Sequence, residues 1–394
     1  MNTASFPPDH RGKEVLISTL YPLGGNYGGL AQAYALQEVI RGLGFSVRTI
    51  DSAGKFSSGR VAARKIRRLL RERITRQQLP LELDETRTAS VQESTRRFVR
   101  ERMRTIDLFG LSRARRDVTL QQTHAIVVGS DQVWRGGYAD VRQQLLDYAV
   151  GHDLIRMSYA ASFGADHLVR YSPRLIAQSA RLARAFDAIS VREDTGVDLC
   201  ARHWGVQADH HVDPTLLLKV EDYRSLIETS PEPVTRRSGG IFVYVLDRSE
   251  SANAVVHDLE RSLGLESFDI LPPPARSLTS FDRQPGRFRM KPVEAWLAAF
   301  ADADYVVTDS FHGTVFSIIF NKPFIALGNR SRGLARFRSL LASVGLEERL
   351  FDSESFPGTL PPDPDWSRVN ERVAAGRELG LHYLMRLLND RRCS

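Results

Sequence analysis

Cysteine is nearly absent. Cys200 and Cys393 are the only two in 394 residues, too few for a disulfide framework and without metal-ligand spacing. His210 and His211 do not repair this, because adjacent side chains on a strand point to opposite faces. No other His, Asp or Glu cluster has ligand spacing, so neither metal nor cofactor is expected. Long apolar runs are missing as well; none approaches the roughly 18 residues that a membrane-crossing helix requires. Residues 1–13 hold Pro7, Pro8 and Asp9 but no apolar core, which argues against a signal peptide. The expectation is a cytoplasmic protein, with at most peripheral contact at the inner membrane face. The glycine cluster near the start, GGNYGG, is not the GxGxxG fingerprint, which speaks against a nicotinamide cofactor. The basic stretches carry no interleaved aromatics to stack bases, so nucleic acid is not an expected partner.

What is present suits two α/β domains. The length exceeds one ordinary core, and a hydrophobic content of 42% is enough to fill two. The formal net charge is +7 and the pI about 9.5, carried by arginine more than lysine. That balance favours anionic partners such as phosphorylated donors, nucleotide-linked sugars or acidic headgroups.

The most informative stretch is 302–327. Tyr305, Val306 and Val307 form a short apolar run of the buried-strand kind, followed by a polar turn of Thr308, Asp309 and Ser310, with His312 and Gly313 just behind. Residues 314–320 read as a buried helix halted before Pro323, and 324–327 as the next strand. This is a βαβ unit, whose turn lies at the carboxyl edge of the sheet where ligands bind. The amino end of the helix points at that edge with its free N–H groups, a place for a phosphate or carboxylate beside His312. Taken alone, Ser310 reads equally as a helix cap and His312 as a surface histidine.

The rest of the chain repeats the pattern. A strand at 14–19 leads through a loop with Gly24, Gly25, Asn26, Gly28 and Gly29 to a helix at 30–43 and a strand at 45–50. Those glycines suit either close approach of a ligand or a tight strand-to-helix turn. An insertion over about 55–115 follows. Within it, 60–76 reads as a basic amphipathic helix, either simply solvated or docking anionic lipid or a lipid-linked glycan, and 96–104 continues the basic theme. A strand at 124–129 ends at Ser130 and Asp131, with a helix expected from near Gln132. A strand at 156–161 ends at Ser162, and one at 188–191 ends at Arg192. Residues 228–240 are rich in Ser, Pro, Thr and Gly and read as a linker. The domains are thus expected at 1–230 and 238–394. The second opens with strands at 241–246 and 268–271, and a long helix at 369–388 packs back on the first.

The run DSFHGTVFSIIFNKPFIAL resembles the signature of the polysaccharide pyruvyl transferases. So, in order along the chain, do GGNYGGLAQAYAL, VVGSDQVWR, SYAASFG, ISVREDTG, HVDPTLLL and RGLARFRSLLASVGLEERL. The resemblance implies two Rossmann-like domains facing across a cleft, similar to the GT-B glycosyltransferases. It also implies transfer of pyruvate from phosphoenolpyruvate onto two hydroxyls of one sugar, as a ketal, on an exopolysaccharide or cell-wall glycan precursor.

That chemistry needs arginines for the donor's phosphate and carboxylate, an acid for its methylene carbon and a base for the attacking hydroxyls. His312 is the acid/base candidate, since histidine alone has an ordinary pKa near neutrality. Asp131 is a second catalytic candidate, orienting the acceptor or an arginine; otherwise it caps the following helix. Arg192, which matches an arginine of the family, is the expected donor anchor, or else a salt-bridge partner of Glu193, Asp194 or Asp213. Asn26, Ser130, Ser162, Ser310 and Gly313 complete the expected binding set. Several family members place Arg-Leu before this histidine where Ser310 and Phe311 stand here, so one donor-binding charge is either missing or supplied elsewhere, with Arg330, Arg332 and Arg336 as the candidates. A nucleotide-sugar glycosyltransferase and a non-catalytic glycan-binding relative are the competing readings.

Overall fold

The computed structural model describes residues 12–52, 83–275, 277–328 and 333–389. The basic stretch 60–76, Arg330, Arg332 and Cys393 lie outside the described residues.

Short runs of β-branched and apolar residues build two fully parallel five-stranded sheets. The first contains β1 (Glu14–Ser18), β2 (Ser46–Ile50), β3 (Thr105–Ile106), β4 (Thr123–Gly129) and β5 (Ile155–Tyr159), in the order β3-β2-β1-β4-β5. A two-stranded extension, β6 (Ser190–Val191) with β7 (Asp209–His210), continues it beyond β5 through bridges from Met157 to Ala188 and Ala161 to Val191. The second sheet contains β8 (Ile241–Tyr244), β9 (Ser267–Phe268), β10 (Tyr305–Thr308), β11 (Phe324–Gly328) and β12 (Leu350–Asp352), in the order β12-β11-β10-β8-β9. Val15, Leu16 and Ile17 in β1 and Val306 and Val307 in β10 are wholly buried, as parallel strands covered on both faces must be. Strand order reverses between β1 and β4 in one sheet and between β8 and β10 in the other. Such switch points open a crevice at the carboxyl ends of the strands, where ligands settle. Two such units facing each other give the α/β, GT-B-like architecture expected from the sequence.

The units share an apolar core. Tyr27 from the first stacks on Trp296 of the second, ring centres 5.3 Å apart and nearly coplanar, and its hydroxyl donates to Lys291 O at 2.8 Å. Trp296 in turn meets Tyr244, Phe300 and Phe316 edge-on. Arg87 reaches Asp282 through Nε and Nη2 at 2.8 and 2.9 Å, Arg289 pairs with Glu93 at 2.8 Å, and the backbone N–H of Met290 donates to Val91 O at 2.8 Å. Three of the arginines at 96–104 bind within the fold: Arg96 binds Asp51 at 2.6 Å, Arg97 faces Glu232 and Glu294, and Arg102 binds Thr229 O. The Trp366–Leu388 helix ties both units together. Val369 and Val373 join the shared core, Leu384 and Leu388 pack under the first sheet, and the Tyr383 hydroxyl donates to Ser158 O at 3.0 Å.

Local expectations needed correction in three places. The helix expected at 30–43 begins at Tyr27, so Gly28 and Gly29 lie in its first turn and not in the loop, because Asn26 caps it there. No helix starts at Gln132; the segment after β4 is a turn, because Asp131 adopts φ 62° and its own Oδ1 accepts the N–H of Gln132 at 2.8 Å. The strand expected over 268–271 is only Ser267–Phe268, stopped by the prolines that follow.

Candidate active site

The site begins with the turn after β10. Thr308 Oγ1 donates to Tyr244 O at 2.8 Å and accepts the N–H of Ser310 at 3.1 Å, locking the end of β10 to the end of β8. Asp309 accepts the N–H groups of Leu246 and Asp247 at 2.7 and 2.8 Å. Ser310 caps the Phe311–Ile319 helix through the N–H of Gly313. A Cβ at Gly313 would sit 2.0 Å from Thr308 Oγ1, so this turn needs glycine there. Ser310 and Gly313 thus act on the geometry of the turn, and what they aim is His312.

The Tyr27–Gly42 helix comes to meet it. Asn26 caps that helix, accepting from Gly28 N at 2.9 Å and Gly29 N at 3.3 Å. A Cβ on Gly28 would lie 2.3 Å from His312 Nδ1, and one on Gly29 would lie 3.2 Å from Asp131 Oδ2. Gly28 and Gly29 therefore serve close approach, with the histidine of the other unit against Gly28, whereas Gly24, at φ 100°, serves the turn. His312 is 6% exposed, so its ring does not stand open in the cleft.

The other side of His312 faces a buried charge cluster. Its Nε2 lies 3.6 Å from Asp213 Oδ2, an ion-pair distance and too long for a hydrogen bond. The same Oδ2 accepts from Arg192 Nη1 at 2.8 Å and Ser130 Oγ at 3.0 Å. Asp213 Oδ1 accepts the N–H and Oγ1–H of Thr215 at 3.1 and 2.8 Å. Burial pushes this carboxyl up, but His312 and Arg192 together outweigh burial and hold it well below the usual carboxylate range. Ser130 N–H is held in turn by Gln32 Oε1 at 3.1 Å.

Arg192 joins that cluster with one nitrogen only. Its guanidinium stacks over Phe311, 4.3 Å from the ring centre, and Nη2 comes within 3.8 Å of Asp131 Oδ1. Its Nε and Nη2 are buried without a hydrogen-bond partner. Arg336, on the Ala335–Val344 helix, lies over the same ring at 5.7 Å. Burial, then the nearby Arg192, push its guanidinium down to about 10. A cavity of about 310 Å³ opens alongside, lined by Arg192, Asp213, Phe311, Ser339 and Arg372 among others.

Among the expected residues, His312, Arg192, Ser130, Asp131 and Arg336 converge on one interdomain cluster. Ser162 turns elsewhere, donating to Glu193 Oε1 at 3.0 Å beside the N–H groups of Phe163 and Gly164 that the same oxygen accepts. It stabilises a loop, because a buried carboxylate needs those donors. Asn26 stays at its helix cap. Phe311 and Arg372 were not expected in the site, and Asp213 was expected only as a possible salt-bridge partner of Arg192, a pair that does form at 2.8 Å. Only Asp213 left a signal, within HVDPTLLL.

The family follows from sequence comparison. The polysaccharide pyruvyl transferase model matches residues 26–331, most of the chain. The protein belongs to that family and is a transferase. No curated protein sequence matches it. Solved structures that resemble it include a UDP-GlcNAc 2-epimerase from Methanocaldococcus jannaschii, at 12% identity and TM-score 0.44, covering 97% of this chain and 94% of that one. The N-terminal domain of Candida albicans trehalose-6-phosphate phosphatase is similar at 13% identity and TM-score 0.47, with 96% of each chain covered. MurG of Acinetobacter baumannii is similar at 10% identity and TM-score 0.41, with coverage of 95% and 99%. Likeness this distant says nothing of substrate. Among the described residues, no helix is long and apolar enough to cross a membrane, and no group of three metal-ligating side chains occurs.

Proposed function

We propose that this transferase moves pyruvate from phosphoenolpyruvate onto a sugar of an exopolysaccharide or cell-wall glycan precursor, forming a ketal. The observation that carries the reading is Arg192: a buried guanidinium whose Nε and Nη2 make no hydrogen bond, placed beside His312. Those two donors form one edge of the planar fork, the edge that takes a carboxylate or phosphate in two parallel bonds. Buried unbonded donors are costly, and an anionic donor relieves that cost. Arg336 on the same aromatic ring supplies the second cation that the Ser310-Phe311 sequence omits.

The proton traffic then balances. His312 gives a proton to the donor's methylene carbon, the first sugar hydroxyl adds to the adjacent carbon, and its proton returns to His312. The bond from that carbon to the phosphate oxygen breaks as the second hydroxyl attacks. The second hydroxyl's proton leaves with the phosphate.

The test is steady-state kinetics with phosphoenolpyruvate and a panel of lipid-linked sugars, together with direct donor titration. His312→Gln is expected to lower turnover by about 10²–10⁴-fold with donor affinity little changed. Arg192→Ala is expected to weaken donor binding by about 2–5 kcal/mol, and Arg192→Lys to recover only part of that. Full turnover in His312→Gln, or unchanged donor affinity in Arg192→Ala, overturns the assignments. Turnover of a nucleotide sugar in place of phosphoenolpyruvate overturns the reading as a whole.

A further inference from the structure

His312 and Asp213 stand on opposite units, yet the fold buries them face to face. Asp213 is fully enclosed: Thr215 donates to Oδ1, Arg192 and Ser130 donate to Oδ2, and the His312 ring faces Oδ2 at 3.6 Å without a hydrogen bond. Thr215 is itself buried, and its backbone carbonyl accepts the Tyr223 hydroxyl at 2.9 Å, so the carboxylate cannot swing away from the ring. His312 is equally constrained, its helix start fixed by Ser310 and Thr308. Its Nε2 is buried, has no hydrogen-bond partner, and points at an oxygen that can only accept. A Cβ on Gly28 would lie 2.3 Å from its Nδ1, so the missing side chain is what leaves room at that nitrogen.

We infer that Asp213 is the positioning residue of the transfer reaction, fixing the His312 proton on Nε2 and leaving Nδ1 as the nitrogen that exchanges protons with substrate. A carboxylate beside one ring nitrogen selects the tautomer with the hydrogen on that side, and the opposite nitrogen becomes the working base and acid. Asp213 itself neither gains nor loses a proton. The same Oδ2 anchors Arg192, so one oxygen sets both the acid/base group and the donor-binding guanidinium. This rests on the proposed role of His312, although the pairing itself does not depend on any activity. Since the pair spans the two units, the tautomer is set only when they are closed.

The first measurement is nitrogen NMR of the histidine rings in the wild-type protein, with His312→Gln locating the His312 signals. The expected spectrum shows the neutral His312 ring with its hydrogen on Nε2. A ring with its hydrogen on Nδ1 and Nε2 bare overturns the inference, with no variant of Asp213 needed. The second measurement is Asp213→Asn. Thr215 still demands the amide oxygen, which turns the amide N–H₂ toward Nε2 and inverts the tautomer. Turnover is expected to fall by about 10³–10⁴-fold while the protein stays folded, as loss of the correct tautomer does elsewhere. Ser130→Ala removes a neighbour of the same oxygen without changing its charge, and is expected to keep the Nε2 hydrogen. An Asp213→Asn protein that keeps the wild-type tautomer overturns the inference. If the wild-type ring carries its hydrogen on Nε2 and His312→Gln nonetheless turns over normally, the pairing stands and the catalytic role of His312 falls.

Discussion

Gly28→Ala is the substitution on which the two-unit site is most exposed. Gly28 is the second residue of the Tyr27–Gly42 helix, and its backbone is not in the left-handed region. Inside a helix, Gly to Ala gains about 1 kcal/mol from propensity alone. The structure reverses that sign. The new methyl would lie 2.3 Å from His312 Nδ1, 2.4 Å from Cγ and 2.7 Å from Cβ. Ordinary contact is about 3.5–4.0 Å, so a separation of more than about 1 Å must open. Rotating the ring does not provide it, because Cβ is fixed to the helix backbone. Either the ends of the two helices part, or His312 moves from Asp213. Overpacking of this kind costs about 1–3 kcal/mol, and a misplacement near 1 Å at reacting groups costs about 10²-fold in rate. Gly42→Ala is the control: the same helix and the same propensity gain, with nothing within 4 Å of the added atom. Thermal melts and kcat are measured on both. Gly42→Ala is expected to melt at or above wild type with full turnover, and Gly28→Ala to melt below Gly42→Ala and lose about two decades of kcat. A Gly28→Ala protein as stable and as active as Gly42→Ala refutes the closed contact.

Two further predictions concern charge. Because Asp213 titrates well below its ordinary 3.8 in the folded protein, its stabilisation is present above that value and lost as pH falls below it. Melting temperature followed from about pH 5 to pH 2.5 is expected to fall more steeply for wild type than for Asp213→Asn, which starts lower; parallel curves refute the assignment. Residues 60–76 carry eight basic side chains against Glu72 alone, and we propose that they dock anionic lipid. Sedimentation with anionic vesicles is expected to weaken sharply from about 0.1 M to 1 M salt, as the Debye length shrinks from about 10 Å to about 3 Å. Binding that ignores salt, or no binding at all, refutes the docking.

The sequence by itself determined the local units. Tyr305 to Phe320 reads as strand, polar turn and buried helix because each signal lies within one turn or one pleat of its neighbours. Burial of Val306, Val307, Val315 and Phe316 follows from that pattern. The ends of β4 and β6, with Ser130, Asp131 and Arg192, were legible for the same reason, since a polar residue after an apolar strand marks the carboxyl edge of the sheet. Tertiary structure alone decided what those ends meet. Nothing in HVDPTLLL reveals that Asp213 faces a histidine from the other unit, and nothing in GGNYGG reveals that Gly28 is bare to make room for that ring. Ser162 shows the converse, a residue at the right edge of the right strand that is drawn to Glu193 instead of the site. Periodicity and turn chemistry report the faces and ends of elements. Which side chains share a buried charge depends on the docking of two sheets, set by Tyr27 on Trp296 and the long Trp366–Leu388 helix across both.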